Sequence, residues 1–219
     1  MKSKLVFALF LVAMLVMPST ADEVDDLISD LNSNLYNDRV NAIIQLGQIG
    51  DVRAVNPLIS IIDDEDVSIR SHTVQSLGEI GNVGAVDALC NALESDEDSY
   101  VREYAADSLR RIGDSKSVGS LINALNSDED PYVRKTAAVA LGQIGDPKSV
   151  DSLTYAAQND GDEMVRSAAS DALNNILEVE STENTEETTV NDEDVPSQTG
   201  GGAPRSKLRG MIRAAAFVS

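Results

Sequence analysis

One spacing constrains this chain more than any other. Arg39, Arg70, Arg102, Arg134 and Arg166 follow one another at intervals of 31, 32, 32 and 32 residues. Seven residues after each stands a Leu: Leu46, Leu77, Leu109, Leu141 and Leu173. Ile-Gly closes four of the units at 49–50, 80–81, 112–113 and 144–145, and eight residues beyond each of those glycines comes Leu58, Leu89, Leu121 or Leu153. Four anchors held in one register across five units mark a stack of repeated supersecondary elements, a solenoid.

Each unit divides into two helices. The first is short, as in SVGSLINALNS, where Val118, Leu121, Ile122 and Leu125 recur at the i, i+3, i+4, i+7 spacing of an amphipathic helix. An acidic run then interrupts at 63–66, 96–98, 128–130 and 160–163. Asp66, Asp98, Asp130 and Asp162 each precede the unit's Arg by four residues, where an N-cap accepts from free backbone N–H groups and meets the positive helix end. The second helix runs through Val-Arg and Leu-Gly to Ile-Gly, where Gly50, Gly81, Gly113 or Gly145 can take the left-handed C-terminal position. Asp51, Asn82, Asp114 and Asp146 follow as caps for the next first helix. One such pair cannot bury its apolar face alone, but stacked neighbours can, and alanines at 105–106 and 137–138 let helices approach closely. With DEVDDLISDLNS as the opening helix, the expectation is an all-α solenoid of five helix pairs over residues 22–178.

The stretch best matched to a known pattern is Asp130–Asp146, which reads D-x-x-V-R-x-x-A-A-x-A-L-G-x-I-G-D. This resembles the HEAT repeat, specifically the short PBS-lyase HEAT-like type, and the likeness recurs in phase over about 157 of the 219 residues. The end units depart from it. Leu35 stands where the capping Asp belongs, and the fifth unit reads LNNIL at 173–177 in place of Leu-Gly and Ile-Gly. The resemblance implies that Asp and Arg of successive units form a ladder along the solenoid. Carried over, Asp66, Asp98, Asp130 and Asp162 with Arg70, Arg102, Arg134 and Arg166 have a structural role.

The family includes enzymes, so each chemistry needs its residues. Deoxyhypusine hydroxylase holds iron with several His-Glu pairs, whereas this chain has one His, His72, followed by Thr73. HEAT-like DNA glycosylases use a basic groove. This chain carries 37 Asp and Glu against 17 Lys and Arg, a net charge of −20, which opposes phosphate backbones and anionic membranes alike. Phycobilin lyases act on a tetrapyrrole and leave no short motif to look for. No Gly-rich phosphate loop and no Cys/His cluster is present. The acidic runs lack the spacing of a twelve-residue calcium loop, and they read as caps and solvated loops. Cys90 aligns with Ile59, Ile122 and Thr154, a mostly apolar position, and reads as a buried inert thiol. No cofactor and no metal are expected.

Within the second helices, positions one, two, five and nine after each Arg keep no pattern, and the last three share one helix face. By resemblance to HEAT proteins that face is concave. Along the stack it carries Asn41, Ile44 and Gln48; His72, Gln75 and Glu79; Tyr104, Asp107 and Arg111; Thr136, Val139 and Gln143; and Ala168, Asp171 and Asn175, with Glu103 and Lys135 at its edge. The expected partner-binding set is His72, Gln75, Glu79, Tyr104, Asp107, Arg111, Thr136 and Gln143, centred on Tyr104 and His72.

The ends complete the organisation. Lys2 and Lys4, an apolar run from Leu5 to Met17, Pro18 and Ser19-Thr20-Ala21 form a signal-peptide pattern over 1–21, and 13 apolar residues fall short of the roughly 20 that span a membrane. Residues 179–204 are Thr/Glu-rich and then Gly-rich, the composition of a disordered linker. Residues 205–219 invert the charge with Arg205, Lys207, Arg209 and Arg213 and no acid, which suits weak surface attachment. The expected protein is an exported, non-catalytic scaffold that binds another protein. The alternatives are an accessory of a bilin-lyase-type enzyme and a structural envelope component.

Overall fold

A computed structural model describes residues 20–186, with side chains described from 23 to 177. The predicted signal peptide (1–21) therefore lies almost wholly outside the described residues, and the basic segment 205–219 and most of the 179–204 linker lie outside them too. Among the described residues there are ten α-helices and no strand. They pair as α1 (Thr20–Asp30) with α2 (Tyr36–Ile49), α3 (Val55–Ile59) with α4 (Val67–Ile80), α5 (Val86–Ser95) with α6 (Ser99–Ile112), α7 (Val118–Ser127) with α8 (Pro131–Ile144), and α9 (Val150–Asn159) with α10 (Glu163–Glu186). These are the five expected pairs. A 3-10 turn precedes each first helix from α3 onward, at Val52–Ala54, Val83–Ala85, Ser115–Ser117 and Pro147–Ser149.

The punctuation follows from side-chain chemistry. The Asp66 carboxylate accepts from the Ser68 and Ile69 amides, Asp98 from Tyr100 and Val101, Asp130 from Tyr132, and Asp162 from Met164. At the other end of the second helices, Gly50, Gly81, Gly113 and Gly145 sit at φ between 70° and 74°, a region closed to most L-residues. Asp51, Asn82, Asp114 and Asp146 each cap the 3-10 turn, accepting from the amide two residues on. Helix α10 has no such glycine, and no Pro or Gly interrupts the chain before Pro196. It runs on to Glu186, past the expected end of the solenoid at 178.

The second helices α2, α4, α6, α8 and α10 lie side by side as one closely packed layer, and the first helices form a looser one outside it. Leu46, Leu77, Leu109 and Leu141 of the inner layer and Leu58, Leu89, Leu121 and Leu153 of the outer are fully buried between them. Burying each such side chain contributes roughly 1.5–3 kcal/mol. The close approach within the inner layer needs small residues. A Cβ on Gly78 would lie 2.4 Å from Ser108 Oγ, and one on Gly142 would lie 2.6 Å from the Ala172 backbone. Through that gap buried Ser76 donates to the Ile43 carbonyl at 2.8 Å and Ser108 to the Val74 carbonyl at 2.7 Å, stitching each helix to its predecessor.

The one short interval, Arg39 to Arg70, has a structural counterpart. Helix α3 holds five residues where α5, α7 and α9 hold ten. Beyond it the chain tightens into i→i+3 bonds, Ile61 to Leu58, Ile62 to Ile59 and Asp64 to Ile61. A 3-10 turn rises about 2.0 Å per residue against 1.5 Å in an α-helix. Fewer residues thus cover the same height, and Asp64 still arrives opposite Arg39.

Candidate functional site: the inner face and the ladder beside it

The ladder exists, but its carboxylates are not the ones expected. Arg70 donates from Nε and Nη2 to Asp96 at 2.8 and 3.0 Å, Arg102 does the same to Asp128 at 2.8 and 3.0 Å, and Arg134 to Asp160 at 2.9 and 3.0 Å. Arg39 pairs with Asp64. The rungs are therefore the aspartates six residues before the next unit's Arg, while Asp66, Asp98, Asp130 and Asp162 are spent on capping. Each rung Asp also accepts from the amide of its own cap Asp, at 2.9 Å in all four loops. Arg70, Arg102 and Arg134 turn Nη1 back to the loop carbonyls of their own unit, as Arg102 does to Asp96 and Glu97, while Arg39 reaches the Leu31 carbonyl through Nε at 3.2 Å. Arg166 makes that return contact, to the Asp160 carbonyl at 2.8 Å. The guanidinia of Arg70, Arg102 and Arg134 are thus each shared between their own loop and the loop of the unit after it.

These pairs are nearly dry. The side chains of Arg70 and Asp96 are 8% and 7% exposed, and those of Arg102 and Asp128 9% and 7%. Hydrogen bonding to the partner carboxylate raises the Arg70, Arg102 and Arg134 guanidinium pKa against the opposing effect of burial. Asp160 is held below its ordinary value first by the Arg134 hydrogen bond. For Asp64, burial pushes upward, and the Asp66 amide with Arg39 outweighs it to leave the pKa lowered. In the three central rungs the pairs are bidentate and largely buried, and they hold the stack in register.

The inner face is different in kind. His72 is half-buried, with Nδ1 2.6 Å from the Ser68 carbonyl, a contact that places the proton on Nδ1. Gln75 and Thr136 are half-buried, and Glu79 and Gln143 are exposed. Tyr104 is 37% exposed. Asp107 binds Arg110 through one oxygen and Arg111 through the other, both at 2.8 Å. Arg110 continues to Gln143 Oε1 at 2.6 Å, bridging α6 to α8. Burial pushes the Asp107 pKa up, and the two arginines together bring it below normal. The structure therefore joins Asp107, Arg111 and Gln143 in one network through Arg110 and leaves His72, Gln75 and Glu79 outside it. Beside Tyr104, burial and then Asp130 raise the Glu103 carboxyl above its usual range.

Arg110 was missed by reasoning from sequence, though the signal was present. It stands where the Leu-Gly of units one, two and four places Gly47, Gly78 and Gly142. Further along the same face, an open groove of about 530 Å³ runs between α8 and α10, lined by Lys135, Val139, Gln143, Ala168, Asp171 and Asn175 among others. All six are patternless second-helix positions. Cys90 is half-buried, and burial raises its pKa, which makes the thiol a poor nucleophile.

A row of helix pairs with a continuous inner layer defines an α-solenoid, a class whose members work through extended surfaces. The family model for HEAT repeats matches residues 24–110 and 86–174, and the chain belongs to that family. Among solved structures it is similar to the complex of CpcE and CpcF of phycocyanin lyase from Nostoc sp., at 25% identity and a TM-score of 0.61 over 78% of this chain and 71% of that one. This likeness agrees with the PBS-lyase HEAT-like type. An engineered protein (20% identity, TM-score 0.57, 88% of this chain and 94% of that one) and a designed armadillo repeat protein (16%, 0.53, 88% and 98%) share the fold. A comparison with curated proteins finds no match. Among the described residues no helix is long and apolar enough to cross a membrane.

Proposed function

We propose that this HEAT-repeat protein is an exported, non-catalytic scaffold that holds another protein against the inner face of its second helices. One observation carries the reading. The leucines, serines and ladder arginines that join neighbouring units repeat with the 32-residue period and are largely buried, whereas the inner-face positions vary from unit to unit and, apart from the buried Ala168, stay at least partly accessible. A surface that is exposed, varied and displayed on a rigid frame is what a specific partner reads. Tyr104 supplies stacking area, His72 and Gln75 supply hydrogen-bonding groups, and the Asp107–Arg110–Arg111 network offers a cation in a strongly acidic protein. Export rests on the signal-peptide pattern at 1–21.

The test is capture from envelope extract, with the full chain and with a His72→Ala/Tyr104→Ala variant of equal helix content. A protein retained by the first and lost from the second supports inner-face recognition. Equal retention by both removes these two residues from the interface. A second reading, an accessory of a bilin-lyase-type enzyme, is favoured by the likeness to the phycocyanin lyase complex. Its mark is a tetrapyrrole absorbance change on mixing, and no change with a bilin in excess excludes it.

A further inference from the structure

The acidic loops hold more carboxylates than the architecture uses. In each loop one Asp is a ladder rung and one is a helix cap. A third acid, Glu65, Glu97 or Glu129, is neither rung nor cap and is exposed; Glu97 and Glu129 lie at the long distances of 3.5 and 3.6 Å from Nη2 of Arg70 and Arg102, and at side-chain exposures of 88% and 87% these contacts leave both carboxylates open to solvent. In the fifth unit Glu163 is exposed beside the Asp162 cap. Close to these acids, at the start of the second helix, every unit presents one large exposed apolar or aromatic side chain: Tyr36, Val67, Tyr100, Tyr132 and Met164. Tyr100 is 67% exposed and Tyr132 51%. This row runs along the loop edge of the solenoid, one helical turn before the inner-face residues Tyr104, Thr136 and Ala168, and it meets that face at Glu163 and Met164, which line the groove between α8 and α10. Stability explains only part of it, because these side chains leave between 38% and 67% of their surface in solvent.

We infer that this edge is a docking track for a basic segment, and that its occupant is the chain's own residues 205–219. Three observations support the assignment. The first is charge: Arg205, Lys207, Arg209 and Arg213 stand in a stretch without acids, in a chain of net charge −20. Arg and Lys are also the side chains that stack on exposed Tyr while pairing with a nearby Glu. The second is spacing. Neighbouring helices pack about 8–10 Å apart, so three steps along the track cover roughly 24–30 Å. From Arg205 to Arg213 an extended chain spans about 26 Å at some 3.3 Å per residue. The third is reach. Helix α10 carries the chain about 35 Å away from the track edge, at 1.5 Å per residue over its 24 residues. Residues 187–204 have a contour of roughly 60 Å and can return the basic segment to it.

The experiment uses the full chain with Cys90→Thr, the residue found at the equivalent Thr154, and a spin label on Ser219→Cys. Broadening of the amide signals of Glu97–Tyr100 and Glu129–Tyr132 in dilute buffer, abolished by 1 M salt, is the expected result. Reversing Arg205, Lys207, Arg209 and Arg213 to Glu abolishes it as well. A synthetic 205–219 peptide added to that reversed-charge chain restores contact at the same residues, and Tyr100→Ala/Tyr132→Ala weakens its binding by roughly tenfold. Both tyrosines are exposed, so the variant keeps its helix content. Broadening that is absent, that survives charge reversal, or that falls on the inner face or on residues 178–194 overturns the inference. So does a free chain without edge contact whose basic segment binds phosphatidylserine vesicles, an outcome that assigns the segment to a membrane.

Discussion

The two edges of the solenoid both reverse the chain between helices, by different physics. On the glycine edge, each turn is local. A glycine in the left-handed region ends the helix, an Asx side chain caps a 3-10 turn, and these bonds stay within a few residues. A pair that does cross repeats there, Arg53–Asp25 at 2.9 Å, is exposed and so contributes little. On the acidic edge, each turn is finished by a neighbour. Arg70, Arg102 and Arg134 close their own loops with Nη1 and the next unit's Asp with Nε and Nη2. The glycine edge shapes the repeat and the ladder edge couples repeats. In a quasi-one-dimensional stack, stability is a sum of unit and interface contributions, so the two edges act on different parts of that sum.

The largest effect should come from breaking a central rung. Asp128→Ala strands the Arg102 guanidinium in a dry site and should cost about 3–5 kcal/mol. Arg102→Ala should cost a similar amount, and the double variant much less than the sum, as read from denaturant midpoints of the three proteins. Equal additive losses would mean that the two do not act as a pair. On the glycine side, Gly142→Ala places a Cβ 2.6 Å from the Ala172 backbone and should lose roughly 1–3 kcal/mol by overpacking. Gly113→Ala, at φ 71° with open space around it, should lose only the backbone cost of about 1 kcal/mol. A reversal of that order would show the inner-layer gap to be compliant.

Acid should weaken the ladder edge, and with it the inner-face Asp107, whose pKa is also lowered. Asp64, Asp130 and Asp160 have folded-state pKa values below the ordinary 3.8, so their contribution is present above that value and is lost as pH falls through the folded ones. Asp160→Asn should flatten this acid limb while lowering stability at neutral pH. Glu103 has the opposite sign. Its raised pKa gives stability below its ordinary 4.5 that is lost as pH rises through the folded value. Glu103→Gln should therefore stabilise the protein at pH 7 and do little at pH 3.5, measured by thermal unfolding at both. The smallest effect belongs to neither edge. Thr73 is fully buried with no partner for its hydroxyl, at a position that is Ala42, Ala105, Ala137 or Ala169 elsewhere. Thr73→Val should gain about 1 kcal/mol, and a loss would reveal a hidden partner.

Most of the fold was legible in the residues. The period, the helix pairs, the caps at Asp66, Asp98, Asp130 and Asp162 and the left-handed glycines all follow from local chemistry, which needs only neighbours in the chain. The membership of the inner face followed from helical spacing. Its connections did not, because Arg110 reaches Gln143 across 33 residues, and neither side chain announces the other.

By itself the sequence determined what each unit is: two amphipathic helices, an acidic loop and a glycine stop, repeated until the exposed faces cover one another. Only the tertiary structure decided how units meet. Each acidic run offers two aspartates with the same period, four and six residues before the Arg; local chemistry marks the nearer one as a cap, but nothing local says which of the two reaches the neighbouring Arg. The choice falls on Asp96, Asp128 and Asp160 because stacking sets those residues against the preceding unit's guanidinium, while the aspartates two residues later are already turned to the helix ends they cap.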